Sequence, residues 1–158
     1  MRDTDEWTAL MVAVARGYVE CGKPLLEREG GMQDRTGKTA LMWAACLNRL
    51  ECVKLLVEKE ACIQNSSGQT ALMLASLCGY VECVNFLLKK ESRMQNIRGW
   101  TALMFAVESD NIECINLLAE REKDLKTSRE RFGYSPGTTA LDIAKKMGYK
   151  EIVSILSG

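Results

Sequence analysis

Cys21, Cys52, Cys83 and Cys114 stand at a constant step of 31 residues, inside the related phrases VECGKPL, LECVKLL, VECVNFL and IECINLL. Thiols placed so regularly have three chemistries open to them: a zinc site, a disulfide framework or a reactive redox set. A zinc tetrahedron needs four sulfurs about 2.3 Å from one point, and a disulfide needs Cα atoms within about 7 Å of each other. In a stack of repeated units, equivalent positions lie one helix-packing distance apart, about 8–10 Å, which satisfies neither. A fifth copy of the phrase carries Ile152 beside Glu151, so the position asks for size and apolarity, not sulfur. The four cysteines are therefore expected to form a packing ladder of small buried hydrophobes. Cys46, Cys62 and Cys78 fall at other positions, and Cys46 and Cys78 are the two expected within reach of solvent.

A second constellation is a chance match. Residues 17–23, GYVECGK, have the glycine and lysine spacing of a phosphate-binding loop. Such a loop needs a strand before it, a hydroxyl residue after the lysine and backbone amides free for phosphate. Here a helical pattern precedes it, Pro24 follows the lysine and Glu20 would repel phosphate. The chain also has no histidine, which removes the usual general base and the commonest metal ligand. Without a nucleophile–base pair or a metal set, the chain reads as non-catalytic, with no cofactor and no metal.

The elements that carry these residues repeat. Thr-Ala-Leu occurs at 8–10, 39–41, 70–72, 101–103 and 139–141, with steps of 31, 31, 31 and 38. A short apolar segment follows each triplet, and a Glu stands twelve residues after each Thr. Between the two segments sit Gly17, Asn48, Gly79, Asp110 and Gly148, residue types that tolerate a left-handed turn between helices. The second segment has helical periodicity, with Glu51, Lys54 and Glu58 on a polar stripe and Leu50, Val53, Leu55, Leu56 and Val57 on the remaining arc. Met11, Met42, Met73 and Met104 repeat at the same step and are expected in the core. One such unit cannot bury its apolar face alone, so the units must stack as a solenoid.

The order Gly-x-Thr-Ala-Leu, Ala-Ala, turn Gly, Glu-x-Val-x-x-Leu-Leu resembles the ankyrin repeat over nearly the whole chain. Thr-Ala-Leu-Met replaces that family's usual Thr-Pro-Leu-His, and the period is two residues shorter than the family's roughly 33. Both traits resemble the short-loop ankyrin-repeat proteins of diplomonad parasites. The resemblance implies one all-α domain over residues 1–158, with repeats at about 6–36, 37–67, 68–98, 99–136 and 137–158. It implies a scaffold for protein–protein interaction, partner on the concave face. The alternative is a targeting or regulatory module of a larger enzyme, such as the NIMA-related kinases to which similar repeats are joined in diplomonads.

Carried over position by position, the family's variable surface falls on Trp7, Ala15 and Arg16, then Arg35, Thr36, Lys38, Cys46 and Leu47. It continues through Ser66, Ser67, Gln69, Leu77 and Cys78 to Ile97, Arg98, Trp100, Glu108 and Ser109. The partner-binding set expected from these is Trp7, Arg16, Arg35, Lys38, Leu47, Gln69, Leu77, Ile97, Arg98 and Trp100. Trp and Arg are the types most enriched in interface hot spots.

The 38-residue step places seven extra residues in EKDLKTSRERFGYSPGT, residues 122–138. A mobile insertion is the plainer account; a docking loop, with Ser135-Pro136 as a phosphorylation site, is the other. The last repeat replaces the Met with Asp142 and adds Lys145, Lys146 and Lys150, as a terminal capping repeat requires. Gly22 and Pro24 weaken the second helix of the first repeat.

Bulk composition fits this reading. The chain has 158 residues, 47% of them hydrophobic, and 21 basic side chains balance 21 acidic ones. No basic cluster suits nucleic acid. No apolar run nears the roughly 18 residues of a membrane span, and the start MRDTDEWTAL lacks a signal-peptide core. Unpaired-looking cysteines without a secretion signal point to a reducing, intracellular setting, cytoplasmic or cytoskeleton-associated. A monomer is expected, with a dimer through the N-terminal repeat as the open alternative.

Overall fold

The computed structural model describes residues 6–158; the opening MRDTD, part of the stretch judged above to lack a signal-peptide core, lies outside them. Among the described residues ten helices and no strand build an all-α repeat solenoid. The helices come in pairs: α1 (Ala9–Ala15) with α2 (Val19–Glu29), α3 (Ala40–Cys46) with α4 (Leu50–Glu60), and α5 (Ala71–Cys78) with α6 (Val81–Glu91). Then follow α7 (Ala102–Glu108) with α8 (Ile112–Glu122), and α9 (Ala140–Met147) with α10 (Lys150–Ser157). Each first helix packs on the next first helix, and each second helix on the next second helix. None of these helices is long and apolar enough to cross a membrane.

The repeated triplet has a mechanical meaning. Thr8, Thr39, Thr70, Thr101 and Thr139 are N-caps in extended backbone, and each hydroxyl accepts the amide N–H three residues on. That satisfies one of the orphan donors of a short helix. The Leu of each of the first four triplets is fully buried, and Met11, Met42, Met73 and Met104 lie beside them at no more than 1% exposure. In the last repeat Asp142 takes the methionine's place and completes a capping box with Thr139. The turn between paired helices is left-handed in all five repeats, with φ of 77° at Gly17, 55° at Asn48, 74° at Gly79, 57° at Asp110 and 76° at Gly148.

A ladder of buried glutamates ties the repeats together. The carboxylate of Glu91 accepts from the amide of Leu72 at 2.7 Å, in the first turn of α5, and from the amide of Cys62 at 3.0 Å, just past α4. Glu60 bonds Leu41 and Gly31 in the same way, and Glu122 bonds Leu103 and Arg93. All three are at most 1% exposed. Each therefore stitches its own helix pair to the one before, with a negative charge at a helix N-terminus. Glu29, in the first repeat, is half-buried and among the described residues bonds Leu10 alone, at 2.7 Å.

On the opposite side of the caps the loops form a second ladder. Asp34, Asn65 and Asn96 each accept two backbone amides, two and four residues on, which closes each loop into a tight finger. Neighbouring fingers exchange backbone hydrogen bonds: Ser66 N–H to Thr36 O, Ile97 N–H to Ser67 O, Ser128 N–H to Arg98 O. A Cβ on Gly68 would lie 2.6 Å from the Ile97 nitrogen, so this approach is open only to glycine.

Helix α2 of the first repeat buries the fewest residues of the ten described helices. Helix α2 runs through Pro24 to Glu29, but its only fully buried residue is Gly22, whereas α4, α6 and α8 each bury five. Pro24 donates no hydrogen bond to the Glu20 carbonyl, and Leu25 and Leu26 are half-exposed. Amides of residues 9–29 should accordingly exchange faster than those of residues 40–118 in native-state hydrogen exchange. Equal protection across both spans would mean that other contacts hold the first repeat.

Candidate partner-binding face

The cysteine ladder is a packing feature in three of its four places. Cys52, Cys83 and Cys114 are at most 1% exposed. Burial pushes the Cys83 and Cys114 thiols up to about 11, far from the thiolate form that binds metal or attacks. Cys83 donates to the Asn48 amide oxygen at 3.6 Å, so this position faces the preceding repeat. Cys21 departs from the expectation: it is exposed, because no described helix pair precedes its own. Cys46 is half-buried, and Cys62 and Cys78 are exposed. Among the described residues no three His, Cys, Asp or Glu side chains are grouped to hold a metal ion.

The surface residues named from the sequence gather in two clusters along the fingers. In the first, the Trp7 and Trp43 rings meet at a 50° tilt with centroids 4.5 Å apart, and the Lys38 ammonium lies 4.2 Å over the Trp43 ring. Asp34 fixes this arrangement by accepting the Trp43 indole N–H at 2.9 Å. Burial opposes its ionisation, but hydrogen bonds from Thr36, Lys38 and Trp43 hold its carboxyl below the ordinary value. Exposed Arg35 completes the rim of this cleft. Lys38 also acts electrostatically on the thiols of Cys46 and Cys78, which puts the ends of α3 and α5 within its field. Leu47 and Leu77 sit beside them, 40% and 38% exposed, while Arg16 is exposed at the end of α1.

The second cluster joins Gln69, Ile97 and Arg98 to two residues of the insertion, Arg131 and Phe132. Trp100 does not belong to it. The residues at its place in the preceding repeats, Trp7, Lys38 and Gln69, are half-exposed, but Trp100 is 0% exposed. The cause is the seven-residue insertion, which folds back over it. Tyr134, itself buried, meets the indole edge-on at 6.0 Å, and the Arg131 guanidinium lies 4.6 Å over it. Phe105 closes the other side at 5.3 Å. The insertion is thus ordered at its base, where Lys126 pairs with Thr139 and the Thr127 N–H bonds the Thr138 carbonyl.

Sequence reasoning missed Trp43, Arg131 and Phe132. Trp43 had a visible signal: its equivalents are Val12, Leu74, Phe105 and Ile143, a position of changing size beside invariant neighbours. The charges are also unevenly distributed. Exposed carboxylates of the second helices pair with lysines, as Glu20–Lys23, Glu51–Lys54 and Glu58–Lys90 do. Arg16, Arg35, Lys38 and Arg98, on the fingers and first helices, make no such ion pair with a described residue.

A family model described as ankyrin repeats matches the chain in three overlapping copies, over residues 1–66, 59–129 and 91–158. No curated protein gives a significant match.

Proposed function

The chain belongs to the ankyrin-repeat family, whose repeats generally serve as protein–protein interaction modules, and from that premise we propose that it is a non-catalytic scaffold. The partner is another protein, bound along the fingers and the exposed ends of the first helices. What carries this proposal is the finger surface itself, where cations without an ion pair to a described residue stand beside half-exposed aromatic and aliphatic groups. Those are the residue types that supply interface anchors. Arg16, Arg35, Lys38, Leu47, Leu77, Ile97 and Arg98, with the Trp7–Trp43 pair, are the contact residues of this proposal. With it go a monomeric chain and a reducing compartment, the latter argued from seven cysteines that are all free thiols.

The test is capture of a partner by proximity labelling, followed by binding measurements with that partner. Arg35→Glu combined with Leu77→Asp should weaken binding by about thirtyfold or more and leave the helical circular dichroism unchanged. Phe86→Asp, on the exposed face of α6, should bind normally. A loss confined to Phe86→Asp would move the interface to the second helices and overturn the assignment.

A further inference from the structure

The insertion builds something beyond a cover for Trp100. Arg131 and Tyr134 exchange backbone hydrogen bonds, at 3.1 and 2.8 Å, across the two-residue loop Phe132-Gly133. Both loop residues have positive φ, 49° and 75°. That is the tight hairpin turn whose first place is ordinarily filled by Asn, Asp or Gly. A phenylalanine there carries a steric cost and gains no burial: its ring is 68% exposed. The ring stands over the Arg131 guanidinium, 4.4 Å from its centroid, at the mouth of a cavity of about 370 Å³.

The other walls come from two fingers. Ile97, 54% exposed, gives a second apolar surface, Gln69 and Ser67 give polar ones, and Arg98 brings a second guanidinium. Neither arginine makes an ion pair with a described carboxylate. Half-buried Glu108 is the acidic group that Arg131 feels, and Arg98 acts on it as a like charge. No described Asp or Glu lines the cavity itself, so its two guanidiniums leave it short of negative charge.

We propose that this cavity is the docking site for an acidic segment of the protein partner. An Asp or Glu carboxylate sits between Arg98 and Arg131, and an adjacent apolar side chain lies on Ile97 and Phe132. The planar guanidinium matches a carboxylate in a bidentate manner. Two cations between apolar walls suit a mixed acidic and aliphatic segment. A nucleic-acid backbone instead needs a continuous basic track. This proposal rests on the scaffold reading and names its ligand.

The experiment is fluorescence anisotropy with a short fluorescein-labelled peptide in which glutamate alternates with leucine. The same peptide with glutamine, and one with phosphoserine in place of glutamate, serve as comparisons. The glutamate peptide should bind, and the glutamine version should bind about tenfold more weakly or worse. Arg98→Gln, at an exposed side chain, should lose a similar factor. Phe132→Asn is the sharper variant: asparagine suits the turn, so the melting temperature should rise while peptide affinity falls. Equal binding of the glutamate and glutamine peptides, or of wild type and both variants, would overturn the proposal. Tighter binding of the phosphoserine peptide, or of phosphatidylserine vesicles, would overturn it in favour of a different ligand. If no peptide binds while Arg35→Glu with Leu77→Asp still abolishes partner capture, the cavity assignment falls and the scaffold stands.

Discussion

Trp100→Ala should destabilise the protein by about 3–5 kcal/mol and free the insertion from the body of the solenoid. The indole is fully buried between Phe105 below and Tyr134 and Arg131 above, so alanine leaves a large hole with no side chain placed to fill it. The loss should be visible as a lower urea midpoint and as faster proteolysis between residues 122 and 138. Trp100→Phe is the informative comparison. The indole N–H has no hydrogen-bond partner among the described residues, so phenylalanine forfeits volume but no polar contact. Its loss should be clearly smaller than alanine's. A neutral alanine variant would return Trp100 to the surface set expected from the repeat pattern.

The second large effect is expected at Glu91. Glutamine keeps the shape but replaces one acceptor oxygen with a donor, and two amide N–H groups, of buried Leu72 and of Cys62, now rely on that side chain. One donor would face another, at about 1–3 kcal/mol. Glu29→Gln, half-buried with a single bond among the described residues, should lose less. Glu91 also gives the pH dependence an unusual sign. Burial pushes the carboxyls of Glu91 and Glu122 above the ordinary 4.5, although their hydrogen bonds pull the other way. Between 4.5 and the raised value the folded chain holds protons that the unfolded chain has released. The contribution of these two groups therefore grows as pH falls through the raised value and levels off below 4.5. Asp142, depressed by its hydrogen bonds with Thr139, acts in the opposite sense: its contribution is present above 3.8 and lost as pH falls through the depressed value. Thermal melts at a series of pH values should show the rise first, and Glu91→Gln should flatten it.

The repeat was legible because each copy of Thr-Ala-Leu answers the same local demand, a hydroxyl for a helix end and a buried leucine behind it. Gly17, Asn48 and Asp110 told their turns for the same reason, since left-handed backbone selects residue types directly. The glutamate ladder was equally periodic, at 29, 60, 91 and 122, and went unseen. A carboxylate by its type signals solvent; only the assembled stack supplies the amides that make its burial tolerable. Trp100 failed for a related reason. Its place in the repeat marks a surface, and the residues that cover it lie some thirty positions on, in a segment that the repeat does not predict. Phe132 could not be read at all, since its backbone angle is set by a hairpin of four residues with no apolar alternation.

Both ladders have a further consequence for how the chain folds. Every hydrogen bond described between repeats joins residues 35 or fewer positions apart, the widest being Asn111 to Ser76 and Cys83 to Asn48. Each step of assembly therefore closes a loop of similar, modest length, and the entropy of closure does not accumulate along the chain. Such low contact order favours fast folding that starts wherever a helix pair first meets its neighbour. The middle pairs, α3–α4 through α7–α8, carry complete glutamate stitches and are the natural starting point. From there order should spread outward like a closing zip, reaching α2 with its proline last.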